Sequence, residues 1–333
     1  FHTFPFPRTL FFLELQKFAS GSVDVALGVS FLSKTGVGIL GNSLLITYYL
    51  TSFLLGSKLM PTDLTIVHLA TVHTVMLLTR WIVMASGMLG LHLVQNDAEC
   101  KLFTYVYRIT RALSICTTAL LSVVQAITIS PSNSYLFQLK VQIPNDILPV
   151  LAILWIPNSL ISTNLLFQMF ASSNTTNMDA NCYLVPINTL LQGLILTFMA
   201  LRDILSLGLM SCCSGYMVLL LHRHGQQVQH LHSPSQVPKT LPEKRATQTI
   251  VLLVSCFVVF YCGDLVLSLF LGSSMKNNAA LLNAAMFVPS GYATISPFVL
   301  LTCDRRVIKF LTNFLGNRII KSPQKTMLSA RPL

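Results

Sequence analysis

Apolar residues in this chain gather in long unbroken runs rather than alternating with polar ones. Seven runs stand out, at about residues 23–54, 63–90, 100–128, 148–170, 187–221, 247–272 and 279–302. Each reaches the roughly 20 residues that an α-helix needs to cross a hydrocarbon layer about 30 Å thick. No water is present at that depth to satisfy peptide groups, so such runs are predicted to be helices. The pattern predicts an all-α membrane protein, a seven-transmembrane helix bundle. The fifth run is long for one bilayer and is expected to project past the inner surface. Pro61, Pro144, Pro149 and Pro186 sit near predicted helix starts, where proline is tolerated. Pro157, Pro289 and Pro297 fall inside spans, where a proline kinks the helix and frees carbonyls that neighbours must satisfy. Gly36, Gly38 and Gly41 give the first span a small face suited to close helix contact.

Composition agrees with the pattern. The 333 residues are 53% hydrophobic and only 10% charged, with a mean hydropathy of +0.66, whereas soluble domains carry roughly 25% charged residues. A water-soluble enzyme is excluded on that balance. Lys and Arg number 22 against 11 Asp and Glu, yet they form no single patch for nucleic acid. Their distribution follows membrane topology. Thirteen basic residues fall in the even-side connections and the tail, including Lys58, Lys140, Arg223, Lys244, Arg245 and Arg305, against four (Arg8, Lys17, Lys101, Lys276) on the other side. The amino terminus is therefore expected outside and the carboxyl terminus inside. Residues 1–22 read as an extracellular amino terminus, 23–302 as the bundle, and 303–333 as a cytoplasmic tail. The tail opens with an amphipathic stretch, Asp304 to Leu315, predicted to lie on the inner surface. Residues 316–333 and the third inner connection, about 222–246, read as disordered or mobile. The chain begins at Phe1 with no secretory-leader pattern, so its true start is expected further upstream and its first span is expected to serve as the insertion signal.

Two features agree with this orientation. The sequon Asn174-Thr175-Thr176 falls in the second outer connection, a candidate glycosylation site. Cys182 lies in the same connection and Cys100 heads the third span, both facing an oxidising compartment. Their disulfide would tie the loop across the bundle mouth. Cys116, Cys212, Cys213, Cys256 and Cys262 lie inside apolar runs and read as packing residues.

Seven spans with this orientation and tether describe a G-protein-coupled receptor, and specific motifs narrow the class. Thr35-Gly36-Val37-Gly38-Ile39-Leu40-Gly41-Asn42-Ser43 and Pro61-Thr62-Asp63-Leu64 resemble the vomeronasal type-1 receptor family of pheromone receptors. So do the run Leu120 to Pro131, the pair Arg202-Asp203, and Ser214-Gly215-Tyr216-Met217-Val218 leading into His222-Arg223-His224. Gln227 to Ser233, Arg245 to Ile250 and Ser296-Pro297-Phe298-Val299-Leu300 complete the match, which covers about residues 23–312. Rhodopsin-like receptors usually carry Asp-Arg-Tyr where this chain reads Gln125-Ala126-Ile127, and neither Cys-Trp-x-Pro nor Asn-Pro-x-x-Tyr occurs. Lys34 stands where the family more usually has glutamine, and at that depth it needs a partner or a route to water.

The resemblance implies a pheromone-like small molecule binding between the outer halves of spans three, five, six and seven, and a heterotrimeric G protein, usually of the inhibitory class, at the inner side. It implies plasma-membrane placement in a sensory neuron, membrane lipid as surroundings, and no nucleic acid. A bitter-taste-like receptor and a membrane transporter are the alternative readings. Gln125, Arg223, His224, Lys244 and Arg245 are the candidates to face the G protein.

Ionisable groups at membrane depth are costly and mark candidate sites. Arg108 and Arg111 stand three apart on one face of the third span. Three readings stay open for them: an anionic ligand group, ion pairing with Asp203 or Asp264, or snorkelling to the outer surface. Together these four residues are the candidate ligand contacts. His68 and His73, five apart without an accompanying carboxylate, read as core histidines, and His222, His224, His230 and His232 as a solvated basic surface. No catalytic constellation is found, and no cofactor or metal is expected. Gly36-x-Gly38-x-x-Gly41 mimics a dinucleotide fingerprint, but it lies within a span.

Overall fold

The computed structural model describes residues 22–89, 96–131, 136–172, 181–184, 188–231, 251–263, 287–303 and 307. Its helices are α1 (Ser22–Leu54), α2 (Pro61–Leu89), α3 (Asp97–Ile129), α4 (Leu136–Ser162), α5 (Thr189–Leu231), α6 (Val251–Gly263) and α7 (Gly291–Cys303). A single turn of helix, Asn164–Gln168, follows α4. Five of these helices are long and apolar enough to cross a membrane, and α6 and α7 are shorter apolar helices among the described residues. The fold class is the expected all-α bundle. It carries one addition that the apolar pattern did not predict, an antiparallel hairpin of β1 (Met169–Ser172) and β2 (Asn181–Leu184), with Phe170 opposite Tyr183 and Ala171 opposite Cys182.

Local chemistry sets the helix ends. Pro61 opens α2, and the Asp63 carboxylate accepts the Met60 N–H at 3.0 Å. Glu99 accepts the N–H of Asn96, the extended residue that caps α3, at 3.1 Å. Both carboxylates lie in a first turn, where free amides and the helix dipole favour negative charge. Gly56, just past α1, takes a φ of +84° that a side chain would resist. The fourth helix starts at Leu136, well ahead of the expected 148, because its first turns are polar. Only Asp146–Gln168 is apolar enough to span a membrane. The fifth helix runs on to Leu231, so residues 222–231 are helical rather than loop. Pro234 is the first proline able to stop it.

α3 is the central post. It packs against α2, α4, α5 and β1, and 72% of its apolar window is buried, against 6% for α5. The main core joins Leu45 and Tyr48 of α1, Leu69 of α2, Ile115 and Leu121 of α3, Met210 and Met217 of α5, Phe257 of α6 and Leu300 of α7. α1 lies close to α7 because two of its glycines permit it. A Cβ on Gly38 would stand 3.0 Å from Thr294 Cα, and one on Gly41 3.0 Å from Pro297 Cγ. Gly36 has open space around it and takes no part. Pro297 has no N–H for the Ala293 carbonyl four residues back. Asn42 replaces it, donating Nδ2 to that carbonyl at 3.0 Å. Pro289 precedes α7 rather than interrupting it. Val307 is buried, and the rest of the expected amphipathic helix falls outside the described residues.

Candidate functional site

A cleft opens between α2, α3, α6 and the start of α7. Met76, Arg111, Ser114, Phe260, Tyr261 and Tyr292 are among its walls. α2, not α5, completes this wall, since α5 contributes nothing to the cleft among the described residues. Its free space is about 30 Å³, far below the roughly 300–1,000 Å³ of sites that enclose small ligands.

Arg111 thus lines the cleft. Asp203 does not pair with Arg108. It takes Arg202, its own neighbour, with Nη2 and Nε both close to Oδ1 (2.7 and 2.8 Å), while Tyr261 of α6 donates to Oδ2 at 2.6 Å. Arg202 also donates Nη1 to Asn158 Oδ1 of α4 at 3.0 Å. Adjacent helical side chains do not normally face each other, so this ion pair had no periodic signal in the sequence. It is made because partners on α4 and α6 draw the two residues inward. The result crosslinks three helices and hands a cleft residue, Tyr261, to an ion pair on α5.

A second polar cluster lies beside the cleft. His73 of α2 is fully buried. Its Nε2 meets Ser114 Oγ of α3 at 2.7 Å, its Nδ1 meets Ser296 Oγ of α7 at 3.0 Å, and its ring edge faces Tyr292 at 5.3 Å. Tyr292 in turn meets Thr118 Oγ1 at 3.1 Å. His68 accepts the Trp155 indole N–H at 3.1 Å, and its other nitrogen meets Thr117 at the same distance. Both histidines are hydrogen-bonded and fix α2 to its neighbours, but only His73 is a core residue, His68 being half-buried. Among the described residues no His, Cys, Asp and Glu cluster has metal-binding geometry.

Arg108 lies away from the cleft, toward the hairpin. Its described contacts are Asn164 Oδ1 at 3.5 Å and the sulfur of Met199. Lys34 has the partner it needed: it donates to the Phe287 carbonyl and to Ser290 Oγ (3.1 Å), and its ammonium lies 5.4 Å from the centre of the Phe287 ring. Cys100 is buried at the head of α3 and disulfide-bonded. The side chain of Cys182, and all of Asn174, Lys244, Arg245 and Asp264, lie outside the described residues. At the far end of the bundle, Arg223 is exposed on α5 and Gln125 is buried in α3, while the side chain of His224 lies outside the described part of α5. Ser130 and Tyr216 meet there at 2.9 Å, tying α3 to α5. Sequence reasoning missed Asn158, Gln168, Met199 and Tyr261. Each is a neutral residue; Asn158, Met199 and Tyr261 are marked only by the charge each touches, and Gln168 only by its contact with Asn164.

Residues 25–313 match the model of the vomeronasal organ pheromone receptor family. The chain belongs to that family. Vomeronasal type-1 receptor 100 of Rattus norvegicus is 36% identical to it over 92% of this chain and 96% of the relative. Vomeronasal type-1 receptor 42 of Mus musculus is 33% identical over 95% and 97%. Among solved structures, the crystal structure of squid rhodopsin superposes with a TM-score of 0.67 over 89% of this chain and 86% of rhodopsin, at 16% identity, which establishes the shared fold. The molecule is a chemosensory G-protein-coupled receptor, a multi-pass membrane protein of a receptor family rather than an enzyme family.

Proposed function

We propose that this family member is a pheromone-type receptor that takes a small molecule between the hairpin-end halves of its helices and activates a heterotrimeric G protein, of the inhibitory class, at the opposite end. The observation that carries this reading is the cleft. One wall residue, Arg111, brings charge to an aromatic site, and another, Tyr261, is bonded to an ion pair on the helix that runs furthest toward the opposite end. The cleft is too small for a ligand as it stands. A ligand must therefore favour a wider arrangement, and that differential affinity is the only source of free energy for a switch. Separating α6 from α3 would pull Tyr261 against Asp203 and so load α5.

In this reading the hairpin end is extracellular, with the amino terminus, a Cys100–Cys182 disulfide holding β2 to α3, and a glycan on Asn174. Asp264 follows α6 directly and joins Arg108, Arg111 and Asp203 as a ligand-site candidate. Gln125, Arg223, His224, Lys244 and Arg245 belong to the G-protein side, and the receptor works in the plasma membrane of a sensory neuron. The test is nucleotide exchange by an inhibitory-class heterotrimer reconstituted with the purified chain, scanned against a panel of volatile and steroid ligands. Ligand-dependent exchange is expected. Ligand-dependent solute uptake without exchange would overturn the reading in favour of a transporter.

A further inference from the structure

The three residues Arg108, Asn164 and Gln168 form a polar chain between α3 and the turn that enters β1, and it holds more donors than acceptors. Arg108 Nη1 points at Asn164 Oδ1 from 3.5 Å, the outer limit of a hydrogen bond. Asn164 then presents Nδ2 to Gln168 Oε1 at 3.1 Å. This leaves Gln168 Nε2 buried without an acceptor among the described residues, in a side chain only 3% exposed. The orientation of both amides is forced. Reversing Asn164 sets its NH2 against the guanidinium, and reversing Gln168 sets NH2 against NH2.

Charge points the same way. Arg202 has Asp203, whereas the described contacts of Arg108 are one amide oxygen and the Met199 sulfur, a weak acceptor. Arg111 and Arg202 add positive potential at Arg108. A buried orphan donor is costly, and so, to a lesser degree, is a half-buried guanidinium without a strong acceptor. An anionic group that reached both would relieve both.

We propose that Arg108 and Gln168 form an oxyanion subsite, in which a carboxylate or sulfate on an apolar molecule accepts from the Arg108 guanidinium and from Gln168 Nε2. Asn164 is a positioning residue that turns Gln168 so that its NH2 faces the ligand. The subsite deepens the receptor reading and rests on it. It also separates two roles within the ligand region: Arg111 lines the aromatic cleft between α3, α6 and α7, and Arg108 reads charge on the side facing α4 and α5.

The test uses the full chain in neutral-lipid nanodiscs, with binding read as the shift in melting temperature as ligand is titrated. The probes are decanoate and a steroid sulfate, each paired with its uncharged alcohol. Wild-type protein is expected to bind at least one oxyanion about tenfold more tightly than the matching alcohol, the scale of one charge-assisted hydrogen bond. Gln168→Glu keeps the acceptor for Asn164 but places a second anion in the subsite, and it should erase that preference while the alcohol still binds. Gln168→Leu should erase it as well, so the result does not depend on one variant folding. A lipid phosphate as the natural occupant is seen separately: anionic phosphatidylglycerol discs would then raise the melting temperature of the wild type but not of Gln168→Glu. The proposal is overturned if no oxyanion, free or lipid-borne, distinguishes wild type from both Gln168 variants. No G protein enters this measurement, so a failure of coupling leaves the subsite standing, and a failure of the subsite leaves coupling to be judged by nucleotide exchange.

Discussion

The cluster around His73 and the chain from Arg108 to Gln168 are both polar and both include residues of α3, yet they are finished to different degrees. Around His73 each ring nitrogen has a hydroxyl and Tyr292 has Thr118. Around Arg108 a cation and a buried NH2 lack adequate acceptors among the described residues. The first cluster is complete without a ligand and so serves structure. The second is incomplete in the way a binding site is incomplete. In a low-dielectric interior this distinction is sharp, because unmet polar groups cost more there than in water.

Four substitutions test that contrast, in falling order of effect. Asp203→Ala should be the most damaging, because it leaves Arg202 with an uncompensated charge against α4. We expect a loss of about 3 kcal/mol, seen as a large fall in melting temperature in detergent and poor surface delivery. His73→Leu preserves bulk but orphans Ser114 and Ser296, and should cost about 2 kcal/mol. An unchanged melting point for this variant would dissolve the distinction between the two clusters. Tyr261→Phe removes one hydroxyl donor from Asp203 while leaving the Arg202 pair intact, and should cost about 1 kcal/mol. If Tyr261 carries the switch, this variant should also show altered ligand-dependent exchange at normal surface density. Gln168→Glu should have the smallest effect, a change in unliganded stability of under about 1 kcal/mol, because the orphan donor it removes is offset by the cost of burying a carboxylate.

The sequence made the helices legible and left their polar connections obscure. Long apolar runs identify spans because lipid imposes one demand on every residue in them. Hence α1, α2 and α3 lie within a few residues of their predicted limits. The start of α4 was hidden because a helix that continues into a polar region no longer shows an apolar run. Pro297 and Asn42 were readable in part: proline predicts a freed carbonyl, though not that Asn42 would answer it. The Arg108 site was the hardest to read. Its charge showed in the sequence, but the partner of Asp203 depended on which of several arginines folding would bring near, and Gln168 carries no mark until the orientation of Asn164 is known.

The 43 residues of α5 form a rod about 65 Å long at 1.5 Å per residue, roughly twice the depth of a bilayer core. Asp203, near the upper third of that rod, is where α6 grips it. The 28 positions from there to Leu231 give a lever arm of roughly 42 Å, so that tilting the rod by about 5° at the grip swings its far tip by nearly 4 Å. A displacement too slight to disturb packing at the grip is thereby geared up to the width of a side chain at Leu231, and to roughly 2.6 Å at Arg223 on the way there.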